Sequence, residues 1–520
     1  MREETSLECA DAPDRSASDL RTARVQLRPA LLLGALLVFA FAFQGSRGLW
    51  EPDEGRYVDV AVQMLRTGDF LIPRLHHEYV HVTKPPFTYW AIAGGLSLVG
   101  LSEWGARLPN AVAWTLTVLL VWRMAHRLVP SRPELAGVVQ ASMLLPFVAA
   151  NIVTTDTLLA FWETAAAAAF VEAWWGDRAT SRWWLIAMWA ALGMGFLTKG
   201  PPALMPLIGV ITVAVATEGR AGLRRVVPGL GLTVFGVFGF SWYLAMVLRD
   251  PALLDYFLHD ELVGRIATAQ HDRNAGWFGA IEVYVPTILV GTLPWTWVVF
   301  RQWREVLGVL VPRTWRRMAD RDPAGLFLVS WIVGSIVVFS LAQSRLHLYL
   351  LPLAAPTAIL VARVLAPRWS WSRHAIGWLT IWMLALVGLR AGFAHAEVRR
   401  DARRMAREIA SVVATQGSDE LVFVGARPVF GLSLYLDLEI EHVAPNEQAL
   451  RDSECRYCTG LLRDELRDRE RWLFLVAPRW RDVFLRQVER ADKRATLEGS
   501  VAAGEIYRVT DAPHDARMTR

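Results

Sequence analysis

The chain predicts a polytopic α-helical membrane protein of about 11 to 13 transmembrane helices, followed by a small α/β domain. Three observations carry this. Of its 520 residues 53% are hydrophobic and 24 are Trp, in apolar runs of roughly 17 to 23 residues separated by short basic segments. The arginines sit between those runs, so the net charge of +5 reads as inside-positive bias and not as a nucleic-acid footprint. Beyond residue 394 hydropathy drops, and 395–520 alternates short apolar runs with charged helical patterns.

Residues 1–28 form a polar tail rich in arginine, expected in the cytoplasm. The run 30–44 has no clear small-residue cleavage site after it and reads as an uncleaved first helix. Segment 85–100 is short and opens on Pro85 and Pro86, so it is placed along the membrane surface. Helices then follow at 106–127, 134–151, 156–175, 183–198, 201–217, 226–248, 281–300, 324–342, 348–366 and 374–393. This count of about eleven spans puts the clusters at Arg123/Arg127/Arg132, Arg178/Arg182, Arg220/Arg224/Arg225, Arg301–Arg321 and Arg363/Arg368/Arg373 on the cytoplasmic side. If 85–100 spanned, every cluster would flip.

The same count gathers Asp53, Lys84, Asp156, Lys199, the loop 249–280 and the turn Ser344–His347 on the outer face. Ionisable groups are expensive beside hydrocarbon and mark a site by default. The outer loop 47–105 is the densest, with Asp53, Glu54, Arg56, Tyr57, His81 and Lys84. Within it EGRYVDVAVQMLRTG suits a surface helix of imperfect spacing. Lysine is scarce: among 55 basic residues only Lys84, Lys199 and Lys493 are lysine. Two of them stand before prolines at span ends, in TKPP and TKGPP, where a compact ammonium suits a phosphate. Blander roles compete: Asp53 and Glu54 as a helix N-terminal charge, Arg56 as the partner of Glu54, Asp156 as a cap beside Thr154 or Thr155, Arg265 as a loop charge, Arg345 and His347 as anchors.

The tail reads helix (AEVRRDARRMAREIASVVA), strand (LVFVGA), helix (FGLSLYL), strand (EIEHVA), charged helix, strand (RWLFLVA), helix (WRDVFLRQVERA), strand (GEIYRVT). It contains no Gly-rich phosphate loop and is assigned an accessory role. The pair in CRYC, Cys455 and Cys458, has no second pair for a zinc site. A local disulfide and an incidental thiol pair fit equally well.

Several blocks carry a resemblance: WEPDEGRYVDVAVQMLRTGDFLIPRL, KPPFTYWAIAGGLSLVGLSEWGARLPNA, TTDTLLAFW, LTKGPPALMP, FLHDELVGRIATAQHDRNAGWF, LPWTW and SRLHLYLLPLAAP. In this order they resemble the bacterial aminoarabinose transferases, relatives of the protein O-mannosyltransferases among the C-type glycosyltransferases. The resemblance covers most of 48–360. It implies the C-type fold in 29–394, with 395–520 a periplasmic accessory domain, in the bacterial inner membrane with the N-terminus cytoplasmic. It implies inverting transfer of a sugar from undecaprenyl phosphate, or another polyprenyl phosphate, to lipid A, another glycan or a protein. Asp53 matches the catalytic acid, with Glu54, Arg56 and Tyr57 its neighbours, and Asp156 matches a second acidic position; Asp53, Glu54 and Asp156 are thus the catalytic candidates, and Arg56 and Tyr57 are candidates for holding the donor phosphate. Lys84 matches the phosphate lysine; Lys199 and Arg265 match further basic positions, and Arg345 joins them as a donor-phosphate candidate.

Two departures stand out. Family members often have proline after the Asp-Glu pair, where this chain has Gly55. They commonly read tyrosine, any residue, glutamate before K-P-P, where this chain has His81, Val82 and Thr83. The glutamate is a metal position, leaving His81 as the candidate ligand for a divalent ion; no nucleotide cofactor is expected. Such a transfer needs cations where phosphate charge develops, and a carboxylate to take the proton if the acceptor is a hydroxyl. The rivals are a flippase for lipid-linked sugars, which predicts repeats and midplane charges, and a non-catalytic assembly or sensor protein.

Overall fold

In the computed structural model the described residues are 33–76, 79–263, 274, 276, 278–301, 311–396, 400–413, 420–451, 455, 457–467 and 472–512. Arg265 lies outside them. Among them, six helical segments are long and apolar enough to cross a membrane: Glu103–Leu128, Pro201–Val226, Gly229–Arg249, Pro323–Leu341, His347–Leu365 and Arg373–Phe393. The protein is a multi-pass membrane protein.

The other expected spans form helices too, with visible reasons for falling short. Thr155–Trp175 carries Asp156, Glu163 and Glu172. The 134–151 run breaks at Met143 into Pro133–Ser142 and Leu144–Ala149. The 281–300 run breaks around Pro294 into Gly279–Gly291 and Thr296–Arg301. The segment behind KPP is a helix of 13 residues, Phe87–Val99, too short at 1.5 Å per residue to cross hydrocarbon of about 30 Å.

Thr155–Trp175 is central, packing on Glu103–Leu128 and Ser181–Lys199, which in turn packs on Gly229–Arg249. Its buried Ala166, Ala167, Ala168 and Ala169 let neighbouring helices approach closely, as small residues do where lipid gives no hydrophobic drive. Its two ends differ in chemistry. At one end Asp156 pairs with Lys199. At the other, Glu172 takes Arg123 at 2.8 Å and Arg127 at 3.1 Å. At 1.5 Å per residue these groups are about 24 Å apart, so the arginine clusters and the acid–lysine pair occupy opposite ends of the bundle.

The C-terminal part is a six-stranded sheet of order β5-β4-β3-β6-β8-β7. Its strands are β3 (Glu420–Val424), β4 (Glu439–Ala444), β5 (Gly460–Leu461), β6 (Trp472–Val476), β7 (Lys493–Val501) and β8 (Gly504–Asp511). β3 pairs in parallel with β4 and β6, and β8 runs antiparallel between β6 and β7. The FGLSLYL helix narrows to a 3-10 turn, Phe430–Leu434.

This sheet domain docks on the loop that follows the first helix. The helix Asp53–Thr67 buries two faces. Val58, Ala61 and Val62 join Leu96, Ala402, Ile409 and Leu432, while Val60 and Met64 join Leu75, Tyr89 and Phe430. The expected surface helix is therefore covered, and its imperfect spacing is the signature of burial on more than one side. Backbone bonds stitch the same seam: Ala402 N–H donates to Leu49 at 2.9 Å and Glu51 N–H to Arg400 at 2.9 Å.

Candidate functional site

The helix Asp53–Thr67 starts with the acidic pair, and its two members face different worlds. Glu54 is 1% exposed. Arg47 donates to it at 2.5 Å and Arg107 at 3.2 Å, while the N–H groups of Trp50 and Val153 each reach it at 2.9 Å. Burial pushes its carboxyl up, but the charges of Arg107 and then Arg47 outweigh that and hold it at about 2. Every oxygen is engaged, so the geometry makes Glu54 the knot tying the first loop to the bundle.

Asp53 lies on the opposite side, its side chain 63% exposed, paired with Arg56 one turn on. The alternative Arg56–Glu54 pair is not formed; Arg56 takes Asp53, and its other nitrogen donates to Tyr457 Oη at 3.3 Å. Tyr57, on the same helix, lies within electrostatic reach of both charge pairs. Burial pushes its phenol up, and it feels the charges of Lys199, Asp156, Arg56 and Asp53.

Asp156 and Lys199 meet at the adjoining helix ends. Thr154 is the cap, its hydroxyl accepting from the Asp156 N–H at 3.4 Å, which leaves the Asp156 carboxylate to pair with Lys199. The capping alternative thus belongs to the threonine. The Lys199 ammonium also lies 4.7 Å from the centre of the Tyr349 ring. Tyr349 sits in the 3-10 segment His347–Leu353; it was not singled out in the sequence because one tyrosine in HLYLLPL carries no pattern.

Lys84 lies in the turn before Phe87–Val99, which packs on the central helix through Phe87 and Trp162, ring centres 5.5 Å apart. Arg345 is 8% exposed and is used structurally. It donates to the carbonyls of Asn274, Gly276 and Ser340 at 2.8, 2.9 and 2.9 Å, tying these residues to the Ser344–His347 turn. His347 Nδ1 meets the Thr287 hydroxyl at 2.7 Å.

His81 Nε2 is 2.8 Å from the Thr83 hydroxyl. Among the described residues no group of three possible metal ligands includes it. The one group of three that is close enough, Glu420, Glu441 and Glu465, lies in the sheet domain.

Sequence reasoning also missed Glu51, whose backbone partner comes from residue 431, far along the chain. Its Oε1 accepts the Gly431 N–H at 2.6 Å, and burial raises its carboxyl to about 8. Gly55 explains itself here: a Cβ on it would lie 2.1 Å from Glu51 Oε1. Cys455 and Cys458 form the local disulfide.

The family model of dolichyl-phosphate-mannose-protein mannosyltransferases matches residues 83–244. An undecaprenyl phosphate-α-4-amino-4-deoxy-L-arabinose arabinosyl transferase of Sodalis glossinidius is 33% identical over 356 residues, covering 64% of this chain and 58% of that protein. A Yersinia pestis transferase of the same name is 30% identical over 347 residues with the same coverage. The chain thus spans about 58% of the length of these curated relatives. ArnT from Cupriavidus metallidurans, bound to undecaprenyl phosphate, superposes with TM-score 0.72 at 21% identity, covering 92% of this chain and 97% of that one. Its apo form does so at 20% identity. The chain has the fold of that structure and resembles the aminoarabinose-transferase and mannosyltransferase group in sequence.

Proposed function

We propose that this chain, similar to the aminoarabinose transferases and sharing their C-type fold, moves a sugar from undecaprenyl phosphate, or a related polyprenyl phosphate, to an acceptor at the outer face of the inner membrane. One observation carries the reading: the pairs Asp53–Arg56 and Asp156–Lys199 both lie within electrostatic reach of the buried Tyr57, and Asp156–Lys199 sits at the end of the central helix opposite Arg123 and Arg127. That polarity supports a cytoplasmic N-terminus and a periplasmic sheet domain.

In this mechanism the lipid enters between helices, and Arg56, Lys84 and Lys199 hold its phosphate, with Arg265 a further candidate. Arg345 shapes the loop. The acceptor oxygen attacks the anomeric carbon, the bond from that carbon to the phosphate oxygen breaks, and the polyprenyl phosphate leaves as an anion. Asp53, the exposed carboxylate of the pair, takes the proton of a hydroxyl acceptor; a phosphate acceptor of the lipid A type needs only orientation. Asp156 holds the Lys199 ammonium in place. Glu54 positions the loop and touches neither substrate. No step is routed through a metal.

Full-length protein in lipid nanodiscs, given undecaprenyl-phosphate-linked aminoarabinose and lipid A, should release undecaprenyl phosphate and form sugar-modified lipid A. Asp53→Asn and Lys84→Ala should each lower the rate at least about 100-fold with an unchanged melting temperature. Unimpaired turnover in both would remove the reading.

A further inference from the structure

Tyr457 belongs to the sheet domain, yet it reaches into the candidate site on the first loop. Its hydroxyl accepts from Arg56 at 3.3 Å. Its ring stands edge-on to Tyr79, centres 5.4 Å apart, and to Phe430 at 5.2 Å. Tyr79 lies in β2 (Tyr79–Val80), which pairs with β1 (Arg74–Leu75) in the hairpin ahead of Lys84. One side chain therefore contacts both arms of the loop, the helix bearing Asp53 and Arg56 and the hairpin leading to Lys84.

The residue is held from behind. The Cys455–Cys458 link closes a four-residue turn around it, reinforced by Cys458 N–H donating to Cys455 at 3.1 Å. The next residue anchors the turn to the sheet, Thr459 N–H donating to His442 in β4 at 2.9 Å. A guanidinium bonded to Asp53 on one nitrogen and to a fixed phenol on another has lost its freedom to swing, and preorganised donors are what make a phosphate clamp effective.

We propose that Tyr457 is a positioning residue for the transfer reaction, orienting Arg56 toward the lipid phosphate, and that the Cys455–Cys458 disulfide fixes the turn that presents it. The sheet domain then completes the site and is more than an accessory. The inference rests on the donor-phosphate reading of Arg56.

The test is binding of undecaprenyl phosphate to the full-length protein in nanodiscs, with melting temperature as the folding control. Tyr457→Phe keeps the ring contacts and removes only the hydroxyl; it should weaken binding about 3- to 10-fold. Arg56→Ala should weaken it further, and adding Tyr457→Phe to Arg56→Ala should change nothing more, because the effect passes through that nitrogen. Cys455→Ser with Cys458→Ser should match Tyr457→Phe and add nothing to it. Wild-type affinity in Tyr457→Phe, or an equal loss with and without Arg56, would overturn the proposal while leaving the donor-phosphate reading intact. Wild-type affinity in Arg56→Ala would overturn both, and wild-type affinity in the double serine variant would remove the role given to the disulfide.

Discussion

Lys199 lies with its ammonium 4.7 Å from the centre of the Tyr349 ring while it pairs with Asp156. A cation held between a carboxylate and an aromatic face has a fixed position before any phosphate arrives. Cation–π contact contributes about 0.5 to 2 kcal/mol according to its desolvation. Tyr349→Phe should therefore leave affinity for undecaprenyl phosphate within about twofold, and Tyr349→Leu should weaken it about 3- to 30-fold. Lipid titration of both variants checks this, and equal losses in the two would shift the role from the ring to the hydroxyl.

Neighbouring acids should separate cleanly. Removing a partner from a buried ion pair leaves an uncompensated charge, at a cost of about 3 to 5 kcal/mol. Arg107→Ala should lower stability by about that much because Glu54 and Arg107 are both buried. Asp53→Asn, at an exposed position, should change stability by less than about 0.5 kcal/mol while abolishing transfer. Denaturation and initial rates on the same preparations would expose a mistaken division if Asp53→Asn unfolded the protein.

Glu51 gives the docking seam a pH dependence with a defined sign. Its carboxyl rises to about 8 when folded, from the ordinary value of 4.5, so the folded state binds the extra proton. Stability from this group is full below 4.5 and is lost as pH rises through 8. His76 and His442 work the other way. Burial lowers both imidazoles from 6.5, with Asp59 raising His76 in part and His76 lowering His442 further. Their loss falls below that value, so between 6.5 and 8 they do not mask the falling slope that Glu51 contributes. Melting temperatures across this window should fall with rising pH, and Glu51→Gln should flatten the trend; a slope unchanged in that variant would assign it elsewhere.

The glycine at position 55 should be replaceable only together with its neighbour. A Cβ there would overlap the Glu51 carboxylate at 2.1 Å, so Gly55→Ala should destabilise by about 1 to 3 kcal/mol. Adding Glu51→Ala removes the atoms in the way, and the pair should be less destabilised than the two single effects summed. Strict additivity in a double-mutant cycle would contradict the contact.

What the sequence made legible was local chemistry with a period or a flank. The lysines before Pro85 and Pro201 and the acids after Pro52 and Thr155 stood out because ionisable groups are rare at span ends. Strands β3, β4, β6 and β8 announced themselves through apolar runs. β7 did not: KRATLEGSV is an edge strand with no buried residue and with Lys493, Arg494 and Glu498 along it, and charge on an edge guards against pairing with other chains. The long-range contacts were invisible for a different reason. Nothing in DEGRY signals that Glu54 meets Arg107 or that Arg56 meets Tyr457, since these partners are chosen by three-dimensional packing and carry no shared local pattern.

The seam between Leu49–Glu51 and Arg400–Ala402 also sets a timetable for biosynthesis. Roughly 350 residues must leave the ribosome after the first loop before its partner strand exists, about 20 to 70 s at ordinary translation speeds. Through that interval the nascent loop waits with its knot at Glu54 formable but its cover missing, a period in which chaperones or proteases have their best access to it.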